Sequence, residues 1–122
     1  MVRPVEYRRY PLGSVGAHWI GFAPPSPSEG LRLVGRTGVE ESADNTLARG
    51  GDVRLSIDLR FQLVAEMALR DAKVGRAAAV VVDPRDGGIL AAASIPSFDP
   101  NLFGAGISHD DWTALHKTTR DR

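Results

Sequence analysis

Hydrophobic and polar positions fall into their clearest order in the second half of the chain. Val53, Leu55 and Ile57 alternate with Arg54 and Ser56, the period-two mark that predicts a half-buried strand. Asp58 follows, with a carboxylate suited to accept the first free backbone N–H groups of a helix over 59–73. On that helix Phe61, Val64, Ala65, Ala68 and Leu69 form one apolar face, widened by Leu63 and Met67. Glu66 stands one turn before Arg70 as a favourable ion pair, and Gly75 is the expected left-handed cap. Two nearly unbroken apolar runs, residues 77–82 and 89–93, then predict strands buried on both faces. Between them Asp83-Pro84-Arg85-Asp86-Gly87-Gly88 has the Pro and Gly that preset or permit turn angles, so the pair reads as a β-hairpin. Ser108, with Asp111 three residues later, predicts a short closing helix carrying Trp112 and Leu115.

The first half is less regular. Arg9-Tyr10-Pro11-Leu12-Gly13-Ser14 predicts a turn leading into Ala17-His18-Trp19-Ile20-Gly21, a short strand or loop. Pro24-Pro25-Ser26-Pro27-Ser28-Glu29-Gly30 has the composition of an exposed linker, placed at 23–30. A weak helical patch over 42–48 is closed by Gly50-Gly51. No internal repeat is visible. The sum is an α+β chain.

Composition narrows the function classes. At 122 residues the chain holds one ordinary domain or parts of two. A hydrophobic share of 43% is enough for a modest core and excludes wholesale disorder. Fifteen basic and fifteen acidic residues cancel, which removes any broad electrostatic case for nucleic acid or anionic lipid. There is no cysteine, hence no disulfide framework and no thiolate metal site. No window of the chain approaches the roughly 20 apolar residues that span a bilayer.

Each tempting chemical constellation has a plainer account. His18, His109 and His116 lack a carboxylate at ligand spacing, so no metal site is expected; His18 is expected among aromatic neighbours and the other two in solvent. Asp83 and Asp86 are explained by the turn that holds them. Ser42-Ala43-Asp44-Asn45 reads as a polar turn or helix start, and Lys117-Thr118-Thr119 as an exposed helix end. Arg3, Arg8 and Arg9, with Tyr7 and Tyr10, suit a solvated strand or a partner contact better than nucleic acid. No cofactor-binding motif is present.

Taken in order, the pieces resemble a known family. Arg9-Tyr10-Pro11-Leu12-Gly13 and Ala17-His18-Trp19-Ile20-Gly21 are similar to the R-Y-P-x-G and A-H-x-I-G signatures in the non-catalytic pedestal of class B penicillin-binding proteins of the elongation type. Gly35, Gly38 and Glu40 look like its G-x-x-G-x-E element. Leu47, Arg49 and Gly50 look like L-x-R-G, where the usual motif has Leu directly before Arg-Gly and Ala48 intervenes here. Leu55, Asp58, Gln62, Ala65 and Glu66 fit the L-T-I-D-x-x-x-Q-x-x-A-E pattern that starts the catalytic domain, with Ser56 in place of Thr. Asp83, Pro84, Gly87, Leu90, Ala91 and Ser94 match the hairpin, and Pro96, Asp99, Pro100 and Asn101 match the S-x-P-S-F-D-P-N loop, continued by Gly106-Ile107-Ser108 and Trp112.

The resemblance implies a shortened pedestal, of dimerisation type, over residues 1–51. The first helix and antiparallel hairpin of a transpeptidase domain would follow over 52–122. It also implies a periplasmic site at the bacterial inner membrane. In the family, an active-site Ser attacks the penultimate D-alanine carbonyl of a peptidoglycan stem peptide, and an amine of a neighbouring stem resolves the acyl-enzyme. β-Lactams mimic the acyl donor. Stem peptides and β-lactams are therefore the implied ligands of the full-length family, with a shape-determining glycosyltransferase and scaffold proteins as partners. Two departures stand out. A single glycine separates the L-x-R-G-like element from Asp52, where the family has further pedestal strands. Ser14, Ser26, Ser28, Ser42, Ser56, Ser94, Ser97 and Ser108 all lack a Lys three residues on, so the catalytic Ser-x-x-Lys pair is missing along with S-x-N and K-T-G.

Two readings follow: an N-proximal piece of a D,D-transpeptidase, inactive alone, or a complete non-catalytic pedestal and interaction module of the cell-wall elongation machinery. Under both, the purified chain takes no covalent label from a fluorescent penicillin. A labelled band on a denaturing gel contradicts both.

Overall fold

Asp58 starts the best-defined element. In the computed structural model, which describes residues 6–103, α4 runs over Leu59–Asp71 and the extended Asp58 caps it, its carboxylate accepting Arg60 N–H at 2.9 Å. The Arg60 guanidinium folds back onto the same carboxylate at 2.8 Å. Hydrogen bonds from that side chain, then from the Arg60 N–H, hold Asp58 below the usual carboxylate range. The other end departs from expectation. The helix stops at Asp71, and the left-handed residue beyond it is Lys73, with φ 54°, not Gly75. Lys73 N–H closes on Arg70 O at 3.2 Å, so the chain turns away two residues before the glycine.

The hairpin forms as expected, with a different burial. β3 (Ala77–Val82) pairs antiparallel with β4 (Ile89–Ile95) from Ala77 opposite Ile95 to Val82 opposite Ile89, with a register shift between Val81 and Val82. In the turn, Gly87 donates to Asp83 O at 2.8 Å with φ 76°, an angle that favours glycine. Helix α4 covers one face, where Ala65 and Leu69 meet Ala91 and Ala93, with Ala77, Ala79, Val81 and Ile95 packed around them. The alternate side chains of β3 point away: Val80 is 62% exposed and Val82 49%. Burial on both faces is thus corrected to burial on one, because a single helical layer covers the pair among the described residues.

The helix face is corrected too. Gln62, Ala65 and Leu69 face inward, while Phe61, Leu63, Val64 and Met67 are exposed, Val64 at 66%. What turns the helix is Gln62, which is wholly buried. Its Nε2 donates to Ala92 O at 2.8 Å and its Oε1 accepts Ala92 N–H at 2.9 Å. Those two groups lie on the edge of β4 away from β3, so one side chain does there what a third strand would do. Asp58 N–H to Leu90 O at 2.8 Å and Ser56 Oγ–H to Ile89 O at 2.7 Å extend the same edge. Residues 53–57, expected as a strand, form none: the helix begins before a ladder can grow, and Val53 and Leu55 stay exposed.

The N-terminal part holds short elements. α1 (Ala17–Ile20) is a single helical turn where a strand or loop was expected; Gly16 and Gly21, at φ 69° and 79°, bound it. β1 (Pro25–Ser26) pairs antiparallel with β2 (Arg32–Leu33), and a 3₁₀ turn over Pro27–Glu29 joins them. The expected linker is therefore exposed over 27–30 but anchored at Ala23 and Ser26, which are buried. The helical patch begins earlier than expected and is two pieces, α2 (Gly38–Ser42) and α3 (Asp44–Ala48), broken at Ala43. No helix among the described residues is long and apolar enough to cross a membrane. The closing helix with Ser108, Asp111, Trp112 and Leu115, the Lys117 triplet, His109, His116 and Arg3 lie outside the described residues.

Replacing Gln62 by Leu keeps the volume and removes the amide, leaving Ala92 N–H and C=O unpaired on a buried edge. The expected loss in urea unfolding is about 2–4 kcal/mol. A loss below about 1 kcal/mol would show that this edge is satisfied in another way.

Candidate functional site

The polar chemistry of the chain gathers where the N-terminal part meets the loop leaving β4. That loop is set by its own residues. Asp99 accepts Asn101 N–H at 3.0 Å and Asn101 Nδ2–H at 2.8 Å, an Asx turn that fixes the Asn101 side chain. Asn101 then reaches Tyr10, 91 positions earlier: its Oδ1 accepts Tyr10 N–H at 2.8 Å and its Nδ2 donates to Tyr10 O at 2.9 Å. Three further bonds cross the same seam. Ser97 Oγ–H donates to Ser14 O at 3.0 Å, His18 Nε2–H to Pro96 O at 2.8 Å, and Gly16 N–H to Glu66 Oε1 at 3.4 Å. Since Pro96 O can only accept, Nε2 of His18 holds the proton.

Aromatic rings fill the seam. Phe22 stacks on Phe103 with centroids 4.0 Å apart, and Phe98 stands edge-on to His18 at 5.2 Å and to Phe103 at 5.8 Å. The expectation of His18 among aromatic neighbours holds, although its ring is exposed. Glu66 does not make the expected pair with Arg70 among the described residues; it turns to Gly16 instead.

Behind Tyr10 lies a buried charge. Tyr10 and Glu40 are 6% and 7% exposed. The Tyr10 hydroxyl donates to Glu40 Oε1 at 3.2 Å and accepts Ala23 N–H at 3.0 Å. Arg8 Nε lies 2.9 Å from Glu40 Oε1, and Nη2 donates to Oε2 at 3.3 Å. Arg8 is thus held by a buried carboxylate, and its guanidinium with the Tyr10 hydroxyl makes burying Glu40 tolerable. Burial, then the Glu40 charge, pushes the Tyr10 phenol up to about 12.

This arrangement pairs and positions its polar groups. Asp83 is engaged by Arg85 at 2.7 Å, and Asp86 accepts Gly88 N–H at 2.8 Å, so both carboxylates serve the turn as expected. Asp44, in the Ser42–Asn45 stretch, accepts Gly35 N–H at 2.9 Å and pairs with Arg32 at 3.3 Å. No group of three metal-ligating side chains occurs among the described residues. Sequence reasoning placed Asn101 and Glu40 in motifs without a role. The Asp-Pro-Asn spacing was the available signal for the first; nothing local marks Glu40 as buried.

Comparison with known proteins decides the family. No family model matches the sequence. The peptidoglycan D,D-transpeptidase MrdA of Acinetobacter baumannii is 34% identical over 146 residues, which take in 88% of this chain and 21% of that protein. MrdA of Escherichia coli K12 is 44% identical over 95 residues, 68% of this chain and 14% of that protein. The fold matches Pseudomonas aeruginosa PBP2, solved in complex with WCK 5153, with a TM-score of 0.78 and 36% identity over 95% of this chain and 28% of that one. The chain belongs to the class B penicillin-binding proteins. It is of their PBP2-like, elongation-type branch, and it spans about a fifth or less of the length of the MrdA relatives. PBP2 of Helicobacter pylori, solved with MreC, shares the fold at a TM-score of 0.77 and 24% identity, covering 93% of this chain and 28% of that one. The aligned length with the Acinetobacter protein, 146, exceeds the 122 residues here, so that relative carries a stretch with no counterpart in this chain.

The raised phenol of Tyr10 has a pH consequence for this penicillin-binding-protein segment. The folded state prefers neutral Tyr10, so its contribution to stability is complete below about pH 10, the unperturbed value, and is lost as pH climbs to about 12. With Tyr7 changed to Phe, Tyr10 is the sole tyrosine, and tyrosinate absorbance is expected to rise near pH 12. A rise near pH 10 in a still folded chain contradicts the burial.

Proposed function

We propose that the chain forms the supporting part of a peptidoglycan D,D-transpeptidase of cell-wall elongation, without the acylated serine. The observation that carries this is the match to PBP2 over 95% of the chain, in both fold and sequence, with no Ser-x-x-Lys in any of the 122 residues. In this reading residues 1–51 are an abbreviated pedestal and residues 52–122 the first helix and hairpin of the transpeptidase domain. An abbreviated pedestal is one way to leave a stretch of the Acinetobacter protein without a counterpart here. α4 and the β3–β4 pair supply a floor, and the exposed Val64, Met67, Val80 and Val82 are where further layers of such a domain pack. Stem peptides, β-lactams and a scaffold protein of the MreC kind belong to the whole enzyme, at the periplasmic face of the inner membrane. The seam of Asn101, Tyr10, His18 and Ser97 holds the pedestal against that floor.

A chimera tests this. Residues 7–103 replace the aligned part of E. coli MrdA, and the product is probed with fluorescent penicillin. The expected outcome is a labelled chimera, with Asn101→Ala lowering the labelled, protease-resistant fraction severalfold. A stably produced chimera that takes no label contradicts the proposal.

A further inference from the structure

Two buried polar atoms of opposite character sit beside Gly16. Trp19 Nε1 is a donor and Glu66 Oε2 an acceptor; both are shut off from solvent, and neither has a hydrogen-bond partner among the described residues. Both side chains reach Gly16. A Cβ on Gly16 would fall 2.7 Å from Trp19 Cε2, the ring atom bonded to Nε1, so the indole lies against the glycine. Gly16 also donates its N–H to Oε1 of the same Glu66 carboxylate, at 3.4 Å. We propose that Trp19 Nε1–H donates to Glu66 Oε2, making the Glu66 carboxylate a two-donor clamp that takes Gly16 with one oxygen and Trp19 with the other. The terminal torsion of a Glu side chain is broad and soft, so the second oxygen can turn to the indole without a rotamer change.

The proposal accounts for three features at once. Gly16 is left-handed at φ 69° and lacks the side chain that would displace the indole. The carboxylate leaves Arg70, its neighbour one turn on, for an inward position. Glu is needed rather than Gln, because a carboxylate offers two acceptors and an amide only one. Glu66 is on this view a positioning residue. It fixes α1 on α4 independently of the Asn101–Tyr10 contact and of the transpeptidase reading.

The test uses the isosteric change Glu66→Gln in the ¹⁵N-labelled full chain. With one acceptor, the amide must turn its NH₂ toward Gly16 N–H or the Trp19 indole. One of those two resonances is expected to move upfield and to exchange with solvent about tenfold or more faster, the effect of losing one ordinary hydrogen bond on local opening. Trp19→Phe assigns the indole signal. Glu66→Asp, which is a methylene too short to reach both donors, is expected to act likewise. If both signals keep their positions and exchange rates in Glu66→Gln, the clamp is wrong. It is equally overturned if the unmutated Trp19 indole exchanges like a free indole, a measurement that needs no variant to fold.

Discussion

The pairing of Gln62 with the backbone of Ala92 is the constraint from which the rest of the hairpin region follows. A two-stranded antiparallel pair leaves backbone groups unpaired along each outer edge, and in isolation such a pair is marginal. Here one buried amide satisfies the N–H and C=O of Ala92, while Asp58 N–H and Ser56 Oγ–H take Leu90 O and Ile89 O. This places the start of α4 along the β4 edge. It also rotates the helix so that Gln62, Ala65 and Leu69 look inward. The rotation that buries the amide exposes Val64 and Met67. A hydrophobic contact alone would have turned the helix part of a turn further, toward Phe61 and Val64.

The same economy governs the seam. Asn101, like Gln62, lends a side-chain amide to a backbone that has no strand partner, here that of Tyr10. In both places a carboxamide pairs one donor and one acceptor on a single residue, a geometry that neither a carboxylate nor a hydroxyl reproduces. The buried polar groups of this chain are therefore mostly joints. They tie the N-terminal residues to α4 and to the loop that leaves β4.

How much of this the sequence disclosed depends on the range of each interaction. Local signals read well: the Asp58 cap, the extent of the hairpin and the role of Asp83 all rest on neighbours within a few residues. The motif order pointed to the family over nearly the whole chain. Side-chain partners across long separations were not legible. Periodicity assigned α4 its most apolar face, since hydrophobicity alone counts Phe61 and Val64 above Gln62. The alternation over 53–57 predicted a strand, but a strand needs a free edge and Gln62 occupies the next station along it. At Ala17-His18-Trp19-Ile20 the flanking glycines closed a helical turn that four residues of mixed propensity could not announce.

The exposed apolar residues weigh on what holds the chain together. The buried cluster around α4 is three alanines and one leucine, and each alanine contributes little apolar area. Fully covering a valine or methionine is worth about 1.5–3 kcal/mol, so the outward-facing Val64, Met67, Val80 and Val82 leave part of that stabilising capacity unused. A floor built in this way is firm along its polar joints and unsaturated on its broad faces. Its polar joints are Gln62, Asn101 and the Tyr10–Glu40–Arg8 group, and a layer laid on the outer faces would bury apolar area that the helix and hairpin leave open.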